Sequence, residues 1–217
     1  PEPSKPLLSD DKVSWARYYK RVNITRRANN LNLGQRYRTS DTLRMADKFK
    51  DESHIYFPYH LDFRGRAYPF VKSLSPQGDD LAKGLLHIAE AKPIVNKEQE
   101  TYFYVHGANM FGIKGTIQER HDWVVKNREW LLRTGDDPRY SLWGSVSKPF
   151  QFLAWVLEFK DYERYGVHHL SRIPIAMDGS CNGLQLISLL LKDENMGRST
   201  NCTPQDVPAD LYQEVAD

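Results

Sequence analysis

Along residues 12–33 the apolar side chains Trp15, Tyr18 or Tyr19 and Val22 recur at i, i+3/4 and i+7, with arginines and lysines filling the positions between them. That period predicts an amphipathic helix rather than a strand, stopping near Gly34. Ser40 or Asp41 can cap a second helix through Leu43, Ala46 and Phe49. The pattern then changes. Residues 55–59 and 66–71 are rich in aromatic and β-branched side chains and flank Leu61-Asp62-Phe63-Arg64-Gly65. This predicts a short strand pair around a glycine turn, kept to a sheet edge or an irregular hairpin by Pro58 and Pro69.

Helical periods dominate the remainder. Asp79 can cap a helix facing inward through Leu81, Leu85 and Ile88 and ended by Lys92-Pro93. Asn96 opens another that reaches about Met110 before Gly112 and Gly115, and Thr116 with Glu119 forms a capping box for one passing through Val124 and Leu131 to Gly135. Pro149–Tyr165 predicts a helix burying Phe152, Leu153, Val156 and Leu157, with Gly166 just past its end. Ile173–Met177 has the apolar run of a short strand. A turn at residues 178–183, a helix with Leu184, Ile187 and Leu191 on one face, and a last helix from Pro208 complete the chain. The sum is an α+β, mostly helical chain, with a basic helical arm (1–54) and a larger body (55–217). Tyr102, Phe103, Tyr104, Trp123 and Trp130 fall in helices, where core packing is favoured over base stacking.

A hydrophobic fraction of 40% is enough to build a core and excludes a disordered chain. No apolar run approaches the roughly 20 residues that span a bilayer, and the first residues lack the layout of a signal or transit peptide, so a cytoplasmic location is expected. Cys181 and Cys202 belong to no Cys-x-x-Cys pair, which argues against a zinc ribbon or disulfide scaffold and for reduced thiols. Charge alters the picture more. The net charge of +2 conceals eleven Lys/Arg against two acids between Lys12 and Lys50, leaving the rest of the chain acidic. A clustered cationic stretch suits a polyanion partner, because each neutralised phosphate releases counterions; a merely solvated helix face has the same composition.

Two segments carry candidate chemistry. In Asp62-Phe63-Arg64-Gly65-Arg66-Ala67-Tyr68, two guanidinium forks flank a glycine that lets backbone approach a ligand, and Tyr68 adds a stacking or hydrogen-bonding surface. A phosphate backbone or a nucleotide fits that trio; alternatively Asp62 pairs with Arg64 or Arg66 to pin the turn. Asp178 stands where the apolar run 173–177 meets a Gly/Ser turn, a position at which a carboxylate can hold Mg²⁺, with the Gly179 carbonyl beside it. The alternative is an ordinary helix cap. There is no P-loop, dinucleotide fingerprint, nucleophile elbow or His-Glu-x-x-His helix, and the adjacent His168 and His169 suit a surface turn.

Taken in order, Tyr56-Phe57-Pro58-Tyr59, Asp62-Phe63-Arg64-Gly65-Arg66-Ala67-Tyr68, Pro76-Gln77-Gly78-Asp79, Lys83-Gly84-Leu85-Leu86, His106-Gly107-Ala108-Asn109 and Asp178-Gly179-Ser180-Cys181-Asn182-Gly183-Leu184-Gln185 resemble the single-subunit RNA polymerases of phages and mitochondria. The resemblance implies part of the thumb and palm of a right-hand polymerase fold. It makes Asp178 a catalytic ligand of two Mg²⁺ ions, with the Gly179 carbonyl as auxiliary ligand. Arg64, Gly65, Arg66 and Tyr68 then face the template and the RNA–DNA hybrid, Lys83 joins them, and Arg26 and Arg27 of the basic helix clamp nucleic-acid backbone.

The implied activity is DNA-directed RNA synthesis from ribonucleoside triphosphates, with DNA template and RNA product as partners and no membrane. The family draws its second metal-binding aspartate from a His-Asp-Ser hairpin, and its nucleotide-binding Lys and Tyr from a fingers helix. None of these motifs follows Asp178 in these residues. The expectation is therefore the smaller subunit of a split, heterodimeric phage polymerase, or a fragment, inactive alone and completed by a second polymerase chain. A non-catalytic nucleic-acid-binding subunit that kept the fold is the alternative.

Overall fold

The computed structural model describes residues 3–6, 11–140, 143–175, 181–205 and 207–216. The chain divides into two compact units, residues 1–83 and 84–217. Both are built mainly from helices, with two small antiparallel strand pairs among the described residues.

The first unit begins with one continuous helix, α1 (Lys12–Phe49), in place of the two that Gly34 and Ser40 suggested. A 38-residue helix extends about 57 Å. Gly34 does not stop it because a glycine in a helix interior costs only about 1 kcal/mol relative to alanine and keeps its N–H in the ladder. Asp41 does not cap anything; its carboxylate accepts from Arg44 at 2.5 Å and from the Ser73 hydroxyl. At the true start, Asp11 caps through Ser14 N at 2.7 Å. Val22 is buried and Trp15 and Tyr18 are half-buried, whereas Tyr19 is exposed, so the inner stripe is Trp15/Tyr18/Val22. The strand pair follows as β1 (Tyr59–Leu61) and β2 (Ala67–Pro69), in register His60↔Tyr68.

Helix α2 (Asp80–Gly84) is capped by Asp79, which accepts from Ala82 N at 3.0 Å, but it ends far short of Lys92. Leu85 and Ile88 are exposed instead of facing a core. Gly84 itself lies against backbone: a Cβ there would meet the Phe150 carbonyl carbon and oxygen at 2.8 Å. The chain beyond runs extended into β3 (Lys92–Pro93), which pairs with β4 (Leu170–Ser171).

The core of the second unit lies between α3 (Lys97–Phe111), α4 (Ile117–Lys126), α5 (Arg128–Asp136) and α6 (Pro149–Tyr165). Asn96, Thr116 and the left-handed Gly112 end these helices as the sequence predicts. The capping-box helix, however, is two helices. Asn127 breaks it, its side-chain amide donating to Trp123 O at 2.7 Å and competing with the backbone ladder. Gly135 consequently lies inside α5. On α6 the inward face is Phe152, Trp155, Val156 and Phe159, each fully buried, while Leu157 is 44% exposed. The i, i+3, i+4, i+7 stripe through Phe152 selects the aromatic residues, and Leu157 falls outside it.

Trp155 is the keystone of this core. Its indole Nε1 donates to Phe103 O at 2.9 Å, and its ring lies on the backbone of Gly107 in α3. His106, next to that glycine, is only 4% exposed. Burial, and secondarily the Lys148 charge, push its pKa down from 6.5 to about 4. The folded state therefore holds a neutral imidazole that the unfolded chain protonates near pH 6.5. Stability is complete above that value and falls as the pH drops from 6.5 towards 4, where the unfolded state binds the extra proton. Acidification from pH 7 to 5 is expected to remove about 2 kcal/mol, read as a lower urea midpoint. His106→Gln should flatten that dependence; an unchanged slope in the variant would assign it to another group.

Residues 173–175 form no strand; pairing occurs at Leu170–Ser171 instead, and Ala176 and Met177 lie outside the described residues. Helix α7 (Asn182–Leu191) turns its polar stripe inward: Gln185 donates to Thr200 O at 2.6 Å and Ser188 is buried. Leu184, Ile187 and Leu191 are 39, 43 and 69% exposed, the reverse of the expected face. The reason is local: α8 (Glu194–Ser199) packs back on the Gln185/Ser188 side through a left-handed turn at Lys192. Helix α9 (Leu211–Ala216) starts three residues after Pro208, capped by Asp210.

Candidate nucleic-acid interface and metal segment

The hairpin β1–β2 closes through a tight loop. Gly65 N donates to Asp62 O at 3.0 Å and Asp62 N to Arg66 O at 2.9 Å. Gly65 sits at φ 79°, the left-handed conformation that completes such a loop and that an L side chain adopts only under strain. The Asp62 carboxylate holds the turn from within. One oxygen accepts from Arg64 N at 2.8 Å and Arg66 N at 3.0 Å; the other receives Arg64 Nε at 3.0 Å and a terminal guanidinium nitrogen at 2.8 Å. The Arg66 main-chain N–H, followed by the Arg64 side chain, keeps this carboxyl below the usual aspartate range.

The two arginines thus have different environments. Arg64 is fixed on Asp62 and reaches the Tyr68 hydroxyl at 3.5 Å, as the pinning alternative anticipated. Arg66 is exposed, and its guanidinium makes no hydrogen bond or ion pair among the described residues. Around it the hairpin presents aromatic surface to solvent, with Phe63 95% and Phe70 63% exposed. Arg64 stacks over the Phe63 ring at 5.3 Å, and His60 lies 4.6 Å from Phe70. The arrangement is a rigid loop with an exposed guanidinium whose charge also acts on Asp62, and with open π faces, a combination suited to a phosphate backbone and unstacked bases.

Sequence reasoning missed the brace behind this loop. Gln77 donates to Ala67 O at 2.9 Å, tying the Pro76-Gln77-Gly78 turn to β2. Gly78 admits the packing, since a Cβ there would lie 2.7 Å from Ala82 Cβ. A turn glutamine ten residues from its acceptor leaves no periodic signal. Of the other predicted residues, Lys83 is exposed on α2, and Arg26 and Arg27 are exposed on α1. Asp62, Arg64, Gly65, Arg66 and Tyr68 are brought together in the hairpin; Lys83 stands on α2, and Arg26 and Arg27 on α1.

Asp178 and Gly179 lie outside the described residues. Two residues after Gly179, Cys181 adopts a left-handed conformation (φ 57°) as α7 begins. Both cysteines are free thiols. Among the described residues no group of three or more His, Cys, Asp or Glu could hold a metal ion. Asp193, which follows α7, caps α8 through Met196 N at 3.1 Å, and Glu194 pairs with Arg198 at 2.8 Å. His169, expected in a surface turn, packs against Glu158 of α6 instead, with its side chain 13% exposed. Among the described residues no helix is long and apolar enough to cross a membrane.

The family model for DNA-dependent RNA polymerase matches residues 94–217, more than half of the chain. The chain belongs to the single-subunit, phage-type DNA-directed RNA polymerase family. Relatives of this polymerase segment include T7 RNA polymerase of Escherichia phage T7, 38% identical over 80% of the chain and 20% of the phage protein. The DNA-directed RNA polymerase of Enterobacteria phage K11 is 33% identical over 97% of the chain and 23% of its own length. The mitochondrial DNA-directed RNA polymerase of Schizosaccharomyces pombe is 35% identical over the whole chain and 19% of its own length. The segment thus spans about a fifth of the length of these relatives.

Proposed function

We propose that this chain contributes to DNA-directed RNA synthesis, in which the 3′-hydroxyl oxygen of the growing RNA attacks the α-phosphorus of a ribonucleoside triphosphate and pyrophosphate leaves. The observation that carries the reading is that Asp178-Gly179-Ser180-Cys181 lies inside the stretch matching the polymerase family. A carboxylate and an adjacent main-chain carbonyl are hard oxygen donors of the kind Mg²⁺ takes. Asp178 and Gly179 are accordingly the residues assigned to hold the ions. Bound there, two Mg²⁺ ions would supply activation of the hydroxyl and neutralisation of the triphosphate charge. The second carboxylate comes from outside these 217 residues, on a partner chain if the polymerase is split.

The chain's own described residues position nucleic acid. Arg66 supplies an exposed guanidinium, with no side-chain hydrogen bond among the described residues, for a phosphate of template or hybrid. Asp62 and Arg64 keep the loop rigid, so little conformational freedom is lost on binding. Tyr68 and the exposed aromatic rings offer stacking surface, and Lys83, Arg26 and Arg27 add sequence-independent charge.

The complete polymerase, given template DNA, ribonucleoside triphosphates and Mg²⁺, is expected to make template-dependent RNA and to stop when the ion is chelated. Arg66→Ala should weaken template binding about 3–10-fold and reduce the slope of log affinity against log salt by about 1, the effect of one lost phosphate contact. Absence of template-dependent incorporation would refute the function. An unchanged salt slope would remove Arg66 from the interface.

A further inference from the structure

Helix α7 is apolar on nearly every side. Gln185 and Ser188 form its inward stripe, and beyond Gly183 the remaining side chains are Leu184, Leu186, Ile187, Leu189, Leu190 and Leu191. All six are exposed, Leu186, Leu189, Leu190 and Leu191 by 59–74%. At about 100° per residue they cover an arc of about 220° around the helix axis. A helix on the surface of its own domain carries an apolar stripe of roughly 100° and turns it inward; one that is apolar all round belongs in an interior. The neighbouring helix extends this surface. Tyr212 and Val215 of α9 are exposed, and the Tyr212 hydroxyl meets the Cys181 thiol at the start of α7.

The chemistry of the surface selects its occupant. Residues 182–191 include no charged side chain, so a phosphate backbone gains nothing there. Ten residues of helix span about 15 Å, half of the roughly 30 Å of a bilayer core. The polar stripe that an interfacial helix keeps in water is here spent on the end of α8, where Gln185 donates to Thr200 O. A second copy meeting α7 helix to helix covers one stripe and leaves about half of the arc in water. Polypeptide of the same polymerase is the occupant that fits. The relatives are about five times as long as the segment that they match, so some four fifths of such a molecule lies outside these residues.

We propose that α7 is an interior helix of the complete polymerase, sheathed by at least two apolar elements from the polypeptide outside residues 1–217. Those elements present aliphatic or aromatic side chains and no unpaired charge, because a charge held against six aliphatic side chains loses its hydration without gaining a partner. The inference stands apart from the metal role of Asp178.

The test is hydroxyl-radical footprinting of the complete polymerase, native and urea-unfolded, with oxidation of each α7 side chain read by mass spectrometry. Leu186, Leu189, Leu190 and Leu191 are expected to oxidise about 10-fold or more slowly in the native protein, the loss that accompanies burial to a tenth of full exposure or less. Native rates within about 2-fold of the unfolded ones would mean an open helix and overturn the proposal. Protection that disappears on dilution to one copy per particle, or that forms only when DNA is added, puts a different occupant on α7 and overturns it as well.

Leu186→Gln with Leu190→Gln keeps helix propensity but would bury two amides, and should lower the melting temperature of the complete polymerase by about 5 °C or more. Leu186→Met with Leu190→Met should stay within about 2 °C of the parent. A glutamine variant that melts with the parent refutes the sheath. Should that variant not fold, the footprint of the parent protein decides.

Discussion

Replacing Asp178 by asparagine in the complete polymerase is expected to lower the rate of RNA synthesis by at least about 10³-fold, equivalent to about 4 kcal/mol of transition-state stabilisation. The substitution keeps size and shape and removes one negative charge. If the side chain would hold divalent cations, that charge is what binds them, and a neutral amide oxygen is a poor substitute. The helix-cap alternative does not hold, since Cys181 is the N-cap of α7; if the Asp178 carboxylate has no metal to bind, an isosteric asparagine should change little. The same variant thus separates a catalytic subunit from a nucleic-acid-binding one that has kept the fold. Template affinity, measured by gel shift, should remain within about 2-fold if, as proposed, hairpin and arm cations supply it through phosphate contacts. Full synthesis by the variant would leave the non-catalytic reading standing.

The second large effect concerns the fold. Gly107→Ala should destabilise the second unit by about 3 kcal/mol, although alanine favours a helix interior by about 1 kcal/mol over glycine. The added methyl would lie 2.2–2.3 Å from three atoms of the Trp155 ring. That ring cannot yield easily. It is fully buried, hydrogen-bonded to Phe103 O, and flanked by Phe103, Phe152 and Phe159 at 5.7, 6.0 and 5.0 Å between centroids.

Gly34→Ala provides the control. It is the same exchange in α1 at a site with nothing within 4 Å, and a gain of about 0.5–1 kcal/mol is expected. Opposite signs in thermal or urea unfolding establish that contact with Trp155, not backbone propensity, decides the outcome at 107. Adding Trp155→Leu to Gly107→Ala should show positive coupling, the double variant losing less than the sum of the singles. Strict additivity would mean that the two residues do not meet.

The sequence by itself determined several helix starts and stops, above all those of α3 and α6. Asn96, Thr116 with Glu119, Gly112 and Gly166 act on the backbone within four residues of themselves, so their effect is readable locally. It also determined the strand–Gly65–strand hairpin and the family, because the Asp62–Tyr68 and Asp178–Gln185 elements are contiguous in the chain. Of the two readings of the hairpin, the pinning one describes Arg64, while Arg66 is exposed without a side-chain hydrogen bond among the described residues.

Only the tertiary structure decided which faces are buried. The stripe of α6 is aromatic because Trp155 meets a glycine of α3 that lies 48 residues earlier, and α7 turns Gln185 and Ser188 inward because α8 folds back on that side. It also placed Glu158 beneath Arg172 and Asp41 against Ser73. Such pairs join residues far apart in sequence, and a periodic pattern records only that a side chain is apolar or polar. What that side chain meets depends on loop closure between distant elements, which no local propensity encodes.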